Sequence, residues 1–143
     1  MSAMSDYLEQ ALINHLFRGT GLSQPSNISI ALCSGVPTDD LTGSTIQEVA
    51  NSYGYKRKSL GAPADGTWDA PGIGSPTTQN TSAVEFDAAA GGDWGVVSGI
   101  AIVDATGYGA GNVLLYGSLT TARTVTDGDI FRFNAGDIDI TLQ

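Results

Sequence analysis

The closing stretch Asp137-Ile138-Asp139-Ile140-Thr141-Leu142 decides the fold class. Ile138, Ile140 and Leu142 fall on one face and Asp137, Asp139 and Thr141 on the other, the two-residue period of a strand with one buried and one wet face. Just before it, Thr126-Asp127-Gly128-Asp129 separates two short apolar segments, and Asp-Gly readily supplies the positive φ of a hairpin turn. The same grammar of short apolar or alternating runs, punctuated by Gly, Pro, Asn and Asp, extends back to Gly19. It predicts strands near 28–33, 45–49, 55–60, 83–87, 95–104, 112–118, 123–125, 130–133 and 138–142. The expected fold is therefore mainly β, an antiparallel β-sandwich of jelly-roll-like character.

Upstream of Gly19 the period changes. Leu8, Leu12 and Leu16 recur every four residues, with Ala11, Tyr7 and Phe17 near the same stripe, which predicts a helix from about Asp6 to Arg18. Ser5 can cap it, Asp6 and Glu9 suit its positive end, Arg18 its negative end, and Gly19 a left-handed stop. Residues 1–19 thus read as an N-terminal helix that packs on or between subunits. Residues 20–143 read as the β-sandwich domain.

Within that domain the stretch 61–81 keeps neither period and reads as a long surface loop. Loops of this length in a compact domain are uncommon and usually functional or disordered. It carries Trp68 and Ile73, which have little reason to face water, so a contact loop is one reading. Trp68 folding back on its own sheet is the other, and the residues leave both open.

Composition narrows the function. The 143 residues fit one domain, able to fold without staples. Charged residues make up 15%, below the usual quarter or so of soluble domains. Six basic against 15 acidic residues give a net charge of −9, which opposes binding to nucleic acid or to anionic membranes. The sequence shows no export signal and no apolar run near the roughly 20 residues of a membrane span. Cys33 lies in the apolar run Ile28-Ser-Ile-Ala-Leu-Cys33 and reads as a small core residue.

Catalytic chemistry finds little support. His15 is the one histidine, sits mid-helix, and has no Gly-x-Ser-x-Gly elbow to serve. One Cys and one His cannot make a standard zinc site. The pairs Asp39-Asp40, Asp127/Asp129 and Asp137/Asp139 match no calcium loop and read as turn and strand-surface residues, although Asp127 and Asp129 would be the acids of a wall-cleaving module. Gly107-Tyr-Gly-Ala-Gly111 lacks the Lys-Ser/Thr of a phosphate loop and joins two strands. The expectation is a non-enzyme with no cofactor and no metal, working through protein contacts. Lys56-Arg57-Lys58 holds half of the positive charge and is either edge protection or a docking patch for an acidic neighbour. With Tyr7, Leu8, Leu12, Leu16, Trp68 and Ile73 it completes the set of candidate contact residues, while Trp94 reads as core.

Six motifs in order carry a family resemblance: Ser5-Asp-Tyr-Leu-Glu-Gln-Ala-Leu-Ile-Asn-His-Leu-Phe-Arg18, Ile28-Ser-Ile-Ala-Leu-Cys-Ser-Gly-Val-Pro-Thr-Asp39, Asp93-Trp-Gly-Val-Val-Ser-Gly-Ile-Ala-Ile-Val-Asp-Ala105, Gly111-Asn-Val-Leu-Leu-Tyr-Gly-Ser-Leu-Thr120, Gly128-Asp-Ile-Phe-Arg-Phe-Asn-Ala-Gly136 and Ile140-Thr-Leu142. The chain resembles small virion structural proteins of tailed bacteriophages, often labelled tail fibre or capsid decoration (cement) proteins, over nearly its whole length except 61–81. The resemblance implies a virion component assembled in the host cytoplasm. Its implied partners are further copies of itself, as a homotrimer, together with the major capsid protein or tail proteins. A cement protein gains from a compact, self-associating β-domain with a projecting element. A receptor-binding tip more often separates an anchor from an aromatic-rich distal face. Capsid decoration is thus the preferred expectation, and a tail-fibre or tail-tip module that binds a host receptor is the alternative.

Overall fold

The computed structural model describes residues 2–64 and 66–142; Met1, Asp65 and Gln143 lie outside them. The elements run β1 (Ser2–Met4), α1 (Asp6–Phe17), β2 (Ser29–Cys33), β3 (Lys58–Ser59), β4 (Thr77–Gln79), β5 (Val84–Glu85), β6 (Gly95–Val103), β7 (Val113–Val125), β8 (Arg132–Phe133) and β9 (Asp139–Thr141). The fold is mainly β and antiparallel with one short N-terminal helix. A five-stranded sheet in the order β1-β7-β6-β2-β3 forms one layer. Two two-stranded ribbons, β4-β9 and β5-β8, face it in place of a continuous second sheet.

The strand β1, ahead of the helix, is an addition to the expected elements: Met4 pairs with Leu115 and Ala3 with Tyr116. Three residues are too few for a periodic signal, so only the pairing partner reveals it. The N-terminal segment is consequently stitched into the sheet as an edge strand before it turns into the helix. Ser5 makes that turn. Fully buried, it donates its hydroxyl to the Val113 carbonyl and its N–H to the Leu114 carbonyl, while its Oγ accepts from the Leu8 N–H that opens α1.

The expected strands near 112–118 and 123–125 are one strand, β7. Gly99 pairs with Ser118 and Val97 with Arg123, so Leu119 to Ala122 bulge out opposite Ser98. Conversely, the expected strand at 45–49 is not a ladder: Glu48 alone bridges to Cys33. That segment has a different task, which is to cover the back of the sheet.

Every residue of β2 is buried because both faces of the sheet centre are packed. On the front, Ile30, Leu32, Val97 and Ile102 meet Tyr55, Phe86, Trp94, Phe131, Phe133, Ile138 and Ile140. The expected burial of Ile138 and Ile140 holds, as does that of Trp94, whose indole N–H donates to the Tyr53 carbonyl at 2.9 Å. On the back, Ala31, Cys33, Ala101, Val103 and Val113 pack beneath Ile46 and Leu41.

One polar cluster ties the back together. Arg57, expected to belong to a surface triplet, is 7% exposed. Its Nε and one terminal nitrogen clasp Glu48 at 2.9 and 2.8 Å, and its remaining N–H groups reach the carbonyls of Gly43 (3.0 Å), Ala105 (3.2 Å) and Ala110 (2.7 Å). Tyr55 donates to Glu48 at 2.9 Å and accepts from the Leu32 N–H at 3.0 Å. Gly43 is needed here, since a Cβ on it would stand 2.1 Å from the Ala110 oxygen. Among the described residues no buried side-chain polar atom lacks a partner.

Replacing Arg57 by Leu leaves the Glu48 carboxylate buried with no counter-charge and the Tyr55 hydroxyl as its remaining donor, and strips three carbonyls of the guanidinium. The expected destabilisation is about 3–5 kcal/mol in urea unfolding; a loss below about 1 kcal/mol would show the pair to be solvated.

Burial, and secondarily the Glu48 charge, push the Cys33 thiol up to about 12, and the same causes raise the Tyr55 hydroxyl. An acid whose folded pKa is raised contributes stability that is full below its unfolded pKa and fades above it. Unfolding free energy should therefore decline as pH rises from about 8.5, the free thiol value, toward 12. Cys33 should resist iodoacetamide at pH 8 until denaturant is added, and alkylation of the native chain would contradict this burial.

Candidate protein-contact surfaces

The helix α1 presents two apolar sides. Leu8, Ala11 and Leu12 are half-buried where it lies along β7. Tyr7 is exposed, and Ile13, Leu16 and Phe17 are 55%, 67% and 81% exposed. The leucine stripe predicted as one face is thus divided: Leu8 and Leu12 dock on the body, while Leu16, Ile13 and Phe17 face water. No residue of the helix is buried. His15 lies in its last turn with Nδ1 accepting from the Leu22 N–H at 3.1 Å, a local tie of the following segment.

The described residues of the stretch 61–81 form an arm held by its own backbone pairings. Trp68 bridges Asn80, the Asp69 N–H donates to the Gln79 carbonyl at 2.9 Å, and Gly72 bridges Ser75 at a tight turn. Its returning limb, β4, pairs with β9, so the arm extends from the β9 ribbon. Ile73 at the tip is fully exposed. Trp68 is half-buried against the front core, so it folds back while the tip projects.

The base of the arm is pinned by Asn80, 2% exposed. Its side-chain amide donates to the carbonyls of Ser82 (2.7 Å) and Asn134 (2.8 Å), and its oxygen accepts from the Ile138 N–H at 2.9 Å. As a sequence, Asn80-Thr-Ser82 reads only as a glycosylation acceptor. Nothing local marks it as a core residue, because two of its three partners, Asn134 and Ile138, lie more than 50 positions away.

The basic triplet is divided as well. Arg57 is spent inside the fold; Lys56 is exposed and Lys58 is half-buried on edge strand β3. As a docking patch it reduces to the two lysines.

Between the front of the sheet and the ribbons opens a cleft of about 470 Å³. Ile100, Leu115 and Leu119 contribute apolar lining, Ser118, Thr120 and Thr121 come from β7 and its bulge, and Arg123, Asp137 and Asp139 supply the charged lining. Arg123 lies 5.6 Å from the Phe131 ring centroid and donates to the Arg132 carbonyl at 3.4 Å. Among the described residues it forms no ion pair within 4 Å; the two pairs found are Glu48–Arg57 and Glu85–Arg132.

The acidic pairs serve turns. Asp127 accepts from the Gly91 N–H at 2.8 Å, and Asp129 accepts from the N–H and hydroxyl of Thr126, both at 2.9 Å. Those two bonds hold the Asp129 carboxyl below its ordinary range, the reverse of what a proton-donating acid needs. Among the described residues, no three His, Cys, Asp or Glu side chains gather as a metal site, and no helix is long and apolar enough to cross a membrane.

Among the described residues the buried side-chain polar groups are all partnered, and apolar side chains stand outside on a helix and an arm. Over residues 3–141 the chain matches the family described as podophage GP4 fiber I protein gp80, and it belongs to that family. It is accordingly a structural component of a tailed-phage virion. No curated protein matches the chain.

Changing Asn80 to Ala should cost about 1–3 kcal/mol by stranding the Ile138 N–H and removing the amide donor from the Ser82 and Asn134 carbonyls. Amide hydrogen exchange should show the arm and the Ile138 amide opening together; an unchanged Ile138 amide would refute the pin.

Proposed function

We propose that the chain is a non-enzymatic tail-fibre module, present in several copies, that contacts the tail at one side and the host surface at another. The fibre designation of its family carries this reading. It favours the tail over the head-decoration role preferred from sequence reasoning, which rested on compactness and a projecting element alone. The arm serves a fibre equally well. Its tip exposes Ile73 on a tight turn far from the satisfied core, the placement expected of a contact residue.

The cleft beside β7 supplies the concave polar surface that a host ligand would need. Arg123, Asp137, Asp139 and the β7 hydroxyls in its lining offer both donors and acceptors beside apolar side chains. Such a mixture suits a neutral, hydroxyl-rich ligand better than a charged one, because either sign of charge would meet a like charge. The chemistry required is recognition only, and Lys56 and Lys58 remain available to meet acidic neighbours.

Electron cryo-microscopy of the intact virion, with this chain located in the map, tests the reading. Density at the tail is expected, and regular density across the shell would overturn it. Exchanging Ile73 for Ser should leave unfolding within about 0.5 kcal/mol of the parent, while the purified variant competes less well with phage for adsorption to host cells.

A further inference from the structure

A second recess, of about 1100 Å³, opens between the base of the arm and the segment that follows α1. Ile140 lines both it and the cleft beside β7, but here the charged trio of the cleft is absent. Trp68, Leu142 and three prolines, Pro63, Pro71 and Pro76, supply the apolar lining. The indole of Trp68 is half-buried, and its N–H donates to no group of the protein. The Trp94 N–H, by contrast, reaches the Tyr53 carbonyl at 2.9 Å. Since no buried side-chain polar atom among the described residues lacks a partner, the Trp68 N–H opens to solvent at the recess that its ring lines. An embedded tryptophan ordinarily finds an acceptor, and here one has still to arrive.

Two more polar groups of the lining are unspent. Gln24 is exposed and its amide makes no hydrogen bond. Asp69 accepts the Gln79 amide on Oδ2 at 2.9 Å, while its Oδ1 takes no donor. The threonine hydroxyls, in contrast, are used within the arm. Thr78 donates to the Asp69 carbonyl at 2.6 Å, and Thr81 donates to the carbonyls of Gly66 and Thr67. Those bonds hold the limb that carries Trp68, so the ring is in place before a ligand arrives.

The chemistry of this lining selects the occupant. Among the described residues no Lys, Arg or His lines the recess, so an anionic ligand would find no counter-charge on a chain of net charge −9. A purely aliphatic ligand would desolvate the Asp69 carboxylate and the indole N–H without replacing their hydrogen bonds. An extended peptide binds well by adding to a free strand edge, but β4 has β9 along one edge and the Trp68-Asp69 limb along the other. A sugar ring meets every condition: one face is C–H, and its hydroxyls both donate and accept. We infer that this recess is a saccharide-binding site, in which Trp68 stacks on the C–H face of a neutral sugar while Asp69 and Gln24 bind its hydroxyls. It is separate from the cleft beside β7, and it rests on the reading that the module meets the host surface.

An array of neutral and acidic oligosaccharides probed with the purified full chain, followed by solution titration of the bound ones, tests this. Neutral oligosaccharides are expected to bind and to shift tryptophan emission, because Trp68 meets the ligand. Trp68→Ala should weaken binding by about tenfold or more. Trp68 also packs on the core, so Gln24→Ala supplies a variant that spares the fold: its thermal melt should match the parent while affinity falls by about threefold or more. An array on which no neutral saccharide binds, or an affinity indifferent to both substitutions, would overturn the site. Binding that survives both but is lost in Arg123→Gln would place the ligand in the cleft, ending this proposal and leaving the host-surface reading intact. The titration needs no virion, so a shell location would defeat the fibre reading without altering what the two variants show.

Discussion

Glu48 and Arg57 meet where three stretches of chain that never pair as strands must nevertheless stay together. A buried ion pair contributes little by itself, because desolvating both partners offsets their attraction. This one is held by more than charge. The guanidinium also caps carbonyls from the segment around Gly43 and from the turn between β6 and β7, and the carboxylate takes the Tyr55 hydroxyl. The pair therefore replaces sheet hydrogen bonds that the 42–48 segment does not make, and it supplies donors to the carbonyls of irregular backbone that closes the rear of the sheet.

With the rear closed in this way and the front closed by two ribbons, the core is complete without α1 and without the arm tip. That separation has a functional consequence. Apolar side chains that a small domain needs for its own stability are spent on β2, β6 and the ribbons, while Ile13, Leu16, Phe17 and Ile73 contribute nothing to it. Their retention in water makes sense for a protein whose final environment is an assembly. Pinning the arm through Asn80 and the helix through Ser5 fixes these groups in advance, which lowers the ordering cost when a contact forms.

Much of the fold was legible along the chain. The alternation in 137–140, the apolar runs of β2 and β6, and the helix with its Ser5 cap follow from nearest-neighbour chemistry and appear where expected, whereas Leu142, read onto the buried face, is exposed beyond the end of β9. The misreadings share one cause. β1 has no periodicity of its own, and β7 was divided at Thr120-Thr121-Ala122 because a bulge looks like a loop until its partner strand is known. The 45–49 run looked like a strand because Ile46 and Val49 are buried, yet it covers the sheet without extending it. At the candidate surfaces, Arg57 was placed outside with its lysine neighbours, and Ile13 and Phe17 were passed over in favour of the leucine stripe that faces the body.

What the sequence alone determined is therefore everything set by spacing within a few residues: a β-rich chain, one capped helix, the turn chemistry, and an acidic, sparsely charged composition. Only the tertiary structure decided which polar side chains are interior and which apolar ones are exterior. Arg57 and Asn80 are inside because their hydrogen-bond partners, Ser82 apart, arrive from 9 to 58 positions away, and α1 keeps an apolar side in water because β7 can cover just one of its two faces. Burial depends on contacts between distant segments, and no local period encodes those.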